Sequence, residues 1–252
     1  MQDSVLCEID DGVARITLNR PEALNAFDEG MAHAWAEVVT ETVSDERVRA
    51  IMLAGNGRAF CAGGDVRAMA DAGFDGEHIA ALAHLINRGQ LALIESSIPV
   101  VAAAHGTTAG GGLGILLNSD YAVVGHSSKV GSLYAKLGLT PDLTVTALLA
   151  RAIGERRALQ LVLQDRLVTA SEAVSWGLVA EAVPDDEVLD RAKSIARYIA
   201  DNSPESRGTA KRMIRASFTR SLTQTLNDEA LSIGAALSSE NAKARINAFI
   251  RG

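Results

Sequence analysis

The chain has 252 residues, with 31 acidic against 24 basic side chains and a formal net charge of −7. That balance lacks the basic footprint of a nucleic-acid-binding protein, and no apolar run approaches the roughly 18 residues that read as a membrane-spanning helix. With 48% hydrophobic and 22% charged residues the composition is that of a globular chain, long enough for one large α/β domain or for such a domain with a helical appendage.

The N-terminal stretch MQDSVLCEIDDG has neither the basic region nor the apolar core of a secretory signal. SVLCEI and VARITL flank Asp10-Asp11-Gly12, a hairpin signal. NRPEALNAF reads as a loop. From Asp28 to about Val43, Met31, Trp35, Val38 and Val39 recur at helical spacing. AIMLAG at 50–55 is a short buried strand, followed by the glycine-rich NGRAFCAGGD and a helix over 77–95. IPVVAAAHG is a second buried strand, GGLGILLNS a helix and DYAVVG a third strand. Strands alternating with helices predict parallel βαβ units. After GLVAEAVPDDEV the texture changes: 187–201, 204–217, 221–237 and 239–250 read as helices, with Ser221 a candidate N-cap. The predicted organisation is an α/β core over 1–185 and a helical region over 186–252. The two cysteines, Cys7 and Cys61, show no disulfide or metal spacing, so a reducing, cytoplasmic setting without a metal centre is expected.

Two loops stand out, RAFCAGGD (58–65) and TAGGGLG (108–114). Each follows a buried strand and leads into a helix, which places both at the carboxyl ends of parallel strands, where ligands bind in such sheets. Their spelling excludes several sites. A dinucleotide fingerprint requires G-x-G-x-x-G/A; reading from Gly110 puts Ile115 at the last position, and from Gly112 puts Leu117 there. A phosphate P-loop read from Gly106 has Gly112 where lysine must stand. There is no G-x-S-x-G elbow and no H-E-x-x-H. Two readings of the loops remain: close helix–strand packing, or bare N–H groups aimed at a developing oxyanion.

The segments VARITLNRPEALNAF, GRAFCAGGDVRAM, PVVAAAHGTTAGGGLGILLNSDYAVV, KLGLTP and ASEAVSWGLVAEAVP, in this order, resemble the crotonase (enoyl-CoA hydratase/isomerase) family, and ESRGTAKRMI and ENAKARINAF resemble its helical tail. The resemblance implies a spiral of ββα units with a helical C-terminal trimerisation region, hence a homotrimer or a dimer of trimers. It implies acyl-CoA thioester substrates, CoA arriving with the substrate and no separate cofactor. It places an enolate-stabilising hole at the N–H groups of Gly64 and Gly111. It places CoA contacts on Glu22, Ala23, Leu24 and Ala26, and on Ala62, Gly63, Asp65, Val66 and Arg67, although Arg67 equally reads as a solvated helix charge and Asp65 as a helix cap.

The chain departs from the hydratase pattern at two positions. Hydratases of the family carry two glutamates; here Gly114 and Tyr134 stand in their places. One carboxylate remains in range, Asp142 in LGLTPDLT, and a GL-x-P-D signature resembles the ring-epoxide phenylacetyl-CoA and enoyl-CoA isomerases, in which this aspartate would be the acid/base group. Isomerisation needs one group that removes a proton and returns it elsewhere, whereas hydration benefits from two. The resemblance therefore implies an isomerase. Alternatives are hydratase-like activity, a hydrolase or dehalogenase with Asp142 as nucleophile, and an acyl-CoA-binding protein without catalysis. For Asp142 itself, capping of the helix LTVTALLARAI is the competing role. Tyr134 either orients substrate or fills the pocket. His105 reads as a packing residue, His84 as a distant candidate for activating water, and Cys61 as a small residue in a tight turn.

Overall fold

The computed structural model describes residues 3–251; positions 1, 2 and 252, at the outer limits of the expected core and tail, lie outside the described residues. The hairpin forms as its turn residues dictate. β1 (Val5–Asp10) and β2 (Val13–Leu18) pair antiparallel around Asp11 (φ 47°) and Gly12 (φ 82°), the left-handed pair that a two-residue turn demands. From β2 onward every pairing in the main sheet is parallel: β3 (Ala50–Gly55), β4 (Val100–Ala104), then, after the short β5 (Thr107–Ala109), β6 (Tyr121–Gly125). β7 (Lys129–Gly131) and β8 (Leu167–Thr169) join β5 in a separate three-stranded sheet, and β9 (Glu181–Val183) closes the main sheet in the order β1-β2-β3-β4-β6-β9.

The helices fill the crossovers. α1 (Glu29–Ser44) starts at Asp28, whose carboxylate accepts from Met31 N–H at 2.8 Å. α2 (Val66–Asp71) and α3 (Gly76–Glu95) follow β3, and α4 (Gly111–Leu117) follows β5. α5 (Val145–Ile153), α6 (Glu155–Leu163) and α7 (Ala170–Trp176) lead to β9; α8 (Val188–Asp201), α9 (Pro204–Ser217), α10 (Leu222–Leu237) and α11 (Glu240–Arg251) complete the chain.

β3 and β4 read as unbroken apolar runs because both faces of the sheet are covered. Alternate residues divide between two buried clusters: Ile51, Leu53, Val100 and Ala102 face Trp35, Val39 and Leu93, while Met52, Ala54, Val101 and Ala103 face Ala192, Ala196 and Ala200 of α8. α8 therefore belongs to the sheet layer. The small residues spaced four apart on its buried face bring its axis close to the strands.

α9 is tied to the core by Lys211, buried, whose Nζ donates to the carbonyls of Leu93 (2.8 Å) and Ile98 (2.6 Å) and lies 3.3 Å from Asp120. α10 and α11 bury no residue, and Leu226, Leu231, Ile233, Leu237 and Phe249 stand exposed. No helix among the described residues is long and apolar enough to cross a membrane.

The sheet–α8 layer makes a stability prediction. Ala196 is fully buried, so Ala196→Leu forces extra volume between helix and strands. Urea unfolding should show a loss of about 1–3 kcal/mol, the usual cost of overpacking; an unchanged midpoint would mean the layer is loosely packed.

Candidate active site

The two glycine loops leave the adjacent carboxyl ends of β3 and β4 and are zipped together. Phe60 N–H donates to His105 O (2.8 Å) and Ala109 N–H to Cys61 O (3.0 Å). The first loop is also held by Phe27, whose N–H donates to Gly63 O (2.7 Å) and whose carbonyl accepts from Asp65 N–H (2.9 Å). That ladder uses the groups on either side of Gly64 and leaves Gly64 N–H without an acceptor among the described residues; the same holds for Gly111 N–H at the first position of α4. Gly110, with φ 53° and ψ −128°, takes a backbone conformation that only glycine adopts readily, and so turns the strand abruptly into α4.

Gly64 and Gly111 open on one cavity of about 580 Å³. Its wall is chiefly apolar, with Phe27, Met69, Leu82, Ile86 and Leu143 prominent, and it also bears Tyr134 and Asp142. Tyr134 O–H donates to Asp142 Oδ1 at 2.5 Å. Asp142 caps no helix: the N-cap of α5 is Thr144, and the carboxylate's partner is the phenol. The capping role expected as an alternative for Asp142 is thereby corrected, because the chain reaches α5 through a turn in which Leu143 (φ 46°) and Thr144 (φ 73°) are both left-handed, carrying the carboxylate away from the helix mouth. Such a conformation for a leucine and a β-branched residue costs of order 1–3 kcal/mol each.

This turn explains Gly114. A Cβ built there would stand 2.0 Å from Leu143 O and 3.0 Å from Leu143 C. No side chain fits while the Leu143 carbonyl occupies that space. Burial pushes the Asp142 carboxyl above its ordinary value, partly offset by the hydrogen bond from Tyr134. Burial and the neighbouring carboxylate push the Tyr134 phenol in the same direction, so it keeps its proton and acts as the donor. Asp28, the other carboxylate on the wall, is already engaged by Met31 N–H and by Arg20 at 3.0 Å.

Of the stretches expected to meet CoA, Ala62 and Val66 lie on the cavity wall. Asp65 caps α2 through Ala68 N–H (3.1 Å) and accepts from Arg20 (3.0 Å); Arg20 also binds the carbonyl of buried Ala26. Leu24 O accepts from Ala62 N–H (3.0 Å), and Gly63 is a turn residue with φ 109°. Glu22, Ala23 and Arg67 lie off the wall. Arg20 carries no motif, so sequence reasoning passes over it; its role rests on contacts to positions 26, 28 and 65 that only the fold brings together. His84 is exposed on α3 and off the cavity wall, and His105 Nε2 lies 2.7 Å from Gly57 O. Cys61 is buried, its thiol donating to Asn25 O (3.1 Å) and pushed up to about 12, which removes it as a nucleophile.

A family model described as enoyl-CoA hydratase/isomerase matches residues 8–251. The 1,2-epoxyphenylacetyl-CoA isomerase of Escherichia coli (strain K12) is 32% identical over 231 residues, covering 91% of this chain and 88% of that protein. The short-chain-enoyl-CoA hydratase of Clostridium acetobutylicum is 32% identical over 250 residues, 98% of this chain and 95% of that one. Among solved structures, the enoyl-CoA hydratase from Bacillus anthracis superposes with a TM-score of 0.93 at 27% identity, covering 98% and 96% of the two chains.

The buried carboxyl has a consequence for stability. Its folded-state affinity for protons exceeds that of the unfolded chain, so the folded protein loses stability as pH rises from the ordinary aspartate range, near pH 4, through the raised folded value. Asp142→Asn, which keeps an acceptor for Tyr134, should melt at a higher temperature than the parent at neutral pH. The advantage should vanish in acid, where both states of the parent are protonated. An Asn variant that is less stable at neutral pH would contradict the assigned environment.

Proposed function

Because the chain belongs to the enoyl-CoA hydratase/isomerase family, we propose that it is an acyl-CoA thioester isomerase in which Asp142 carries the proton. In this reading the thioester oxygen lies between the N–H groups of Gly64 and Gly111, which have no acceptor among the described residues and so remain available as donors. Asp142 takes a proton from the α-carbon of a β,γ-unsaturated thioester. The electron pair spreads onto the thioester oxygen, where the two N–H groups stabilise it, and the proton returns to the γ-carbon, leaving the double bond between the α- and β-carbons. Tyr134 holds the carboxylate through its hydrogen bond. A raised carboxyl suits a group that must both take and return a proton near neutrality. CoA enters as part of the substrate, and no further cofactor takes part in these steps.

The observation that carries the reading is the census of carboxylates on the wall. Asp142 is available, Asp28 is committed to a cap and an ion pair, and Gly114 is filled by the Leu143 carbonyl. Addition of water is served best by a second carboxylate to activate the nucleophile, and among the described residues the wall carries no third carboxylate.

The same reading takes the protein to be a cytoplasmic homotrimer or dimer of trimers. Its support is the run of exposed apolar side chains along α10 and α11, Leu222, Leu226, Leu231, Ile233, Leu237 and Phe249 among them, a pattern that marks interaction surfaces, and the unpaired state of Cys7 and Cys61. Light scattering on dilute protein should return a multiple of three chains; a monomer would refute the assembly.

Activity is tested with a β,γ-unsaturated hexenoyl-CoA and with crotonyl-CoA. The parent should isomerise the first and hydrate the second poorly. Asp142→Asn should bind the thioester normally and lose turnover by roughly 10²–10⁴, the usual share of a general acid–base group. Efficient hydration of crotonyl-CoA, or native isomerisation by the variant, would overturn the proposal.

A further inference from the structure

The buried face of α3 is Leu82, Ile86, Gly89, Gln90 and Leu93, apolar but for one amide. Gln90 is fully buried. A polar side chain at such a position is costly unless its hydrogen bonds are made. Gln90 Nε2 donates to the carbonyl of Leu143 at 3.3 Å, and Gln90 Oε1 accepts from Asn118 Nδ2. Asn118, also fully buried, is the C-cap of α4, and its N–H bonds back to Gly114 O at 3.3 Å. One side chain thus ties the turn that carries Asp142 to the helix whose first residue is Gly111.

We infer that Gln90 is a positioning residue for Asp142, acting through the Leu143 carbonyl; the inference rests on Asp142 being the group that moves the proton. The Leu143 carbonyl faces Gly114 in the interior, and Gln90 supplies its hydrogen-bond donor among the described residues. Buried carbonyls are almost always paired. The two residues that orient this carbonyl, Leu143 and Thr144, are both left-handed, and a strained backbone persists only where its surroundings over-determine it. The local bonds of the turn, Val145 N–H to Asp142 O (3.0 Å) and Thr144 Oγ1 to Gly114 O (3.4 Å), hold its ends and leave the Leu143 peptide to Gln90. Without the amide, rotation of that peptide relieves both the strain and the unpaired carbonyl. Return of Leu143 to an ordinary φ at the same time re-aims the preceding residue, Asp142, whose carboxylate is held against Tyr134 only in the present turn. A purely structural role, stapling α3 to α4, predicts lower stability with turnover per folded molecule unchanged.

The test is a double-mutant cycle of Gln90→Met and Asp142→Asn, read as isomerisation of a β,γ-unsaturated hexenoyl-CoA per folded molecule. Gln90→Met alone should lower kcat roughly 10- to 100-fold, the scale of a misplaced catalytic group. KM should stay within about two-fold, because thioester binding does not use the carboxylate. The acid limb of its pH–rate profile should move down toward the ordinary carboxylate range as Asp142 gains water. In the Asp142→Asn background, Gln90→Met should cost no further turnover. If Gln90→Met does not accumulate as folded protein, Gln90→Leu replaces it in the cycle, since it suits the apolar face of α3 and leaves no donor for the Leu143 carbonyl. Unchanged kcat and pH profile in the folded variant, or losses that multiply fully in the double variant, would overturn the role of Gln90. Native turnover in Asp142→Asn alone would instead overturn the assignment of Asp142, whatever Gln90 does.

Discussion

The seating of the Leu143 carbonyl over Gly114 is the contact on which the rest of the site depends. It requires a residue without a side chain at 114, and the turn that delivers the carbonyl requires two successive left-handed residues, Leu143 and Thr144. Through that one approach α5 packs against α4, Asp142 comes to face Tyr134, and Leu143 becomes part of the wall beside Gly111. The same peptide that presents one carboxylate to the cavity denies room for another. In the proposed reaction, the chemistry is narrowed by a backbone contact as well as by the side chains on the wall.

The scaffold makes that contact affordable. A sheet covered on both faces, by α1 and α3 on one side and by α8 on the other, holds the ends of β3 and β4 in fixed register, and both glycine loops grow from those ends. Cross-loop bonds from Phe60 and Ala109, with the Phe27 ladder, absorb the backbone groups around Gly64 and leave its N–H without an acceptor among the described residues. The apolar wall then acts on both titratable members of the site. It raises Asp142, which suits a proton carrier, and it raises Tyr134, which keeps the phenol a donor. Strain in the turn and burial of a carboxyl both weaken the fold locally, and proteins commonly tolerate such costs where the chemistry requires them.

Much of this was legible in the sequence, for definite reasons. Asp10-Asp11-Gly12 between alternating strands has one common solution, and AIMLAG and VVAAA are apolar on both faces because both faces are covered. The four C-terminal helices fall where capping residues such as Ser221 and the helical period place them. Gly64, Gly111, Tyr134 and Asp142 stand in motifs that resemble the family's, and the fold brings all four to one cavity. Other features leave little trace in sequence. β5, β7 and β8 are three residues each, too short to show a period. Asp after Pro before an apolar run reads as a cap, and only the left-handed Leu143–Thr144 pair shows why it is not one here. The bonds of Arg20 to Asp65, of Gln90 to Leu143 and of Asn118 to Gln90 join positions 45, 53 and 28 residues apart, with no local pattern to announce them.

If, as proposed, a single buried carboxyl at position 142 governs turnover, the pH dependence of kcat/KM carries its signature. For isomerisation of a β,γ-unsaturated thioester by the parent, the rate should rise with pH through one ionisation lying above the ordinary aspartate range of about 4, and this ionisation should be absent from the residual activity of Asp142→Asn. The same ionisation persisting in the Asn variant would place the proton-transferring group elsewhere than Asp142.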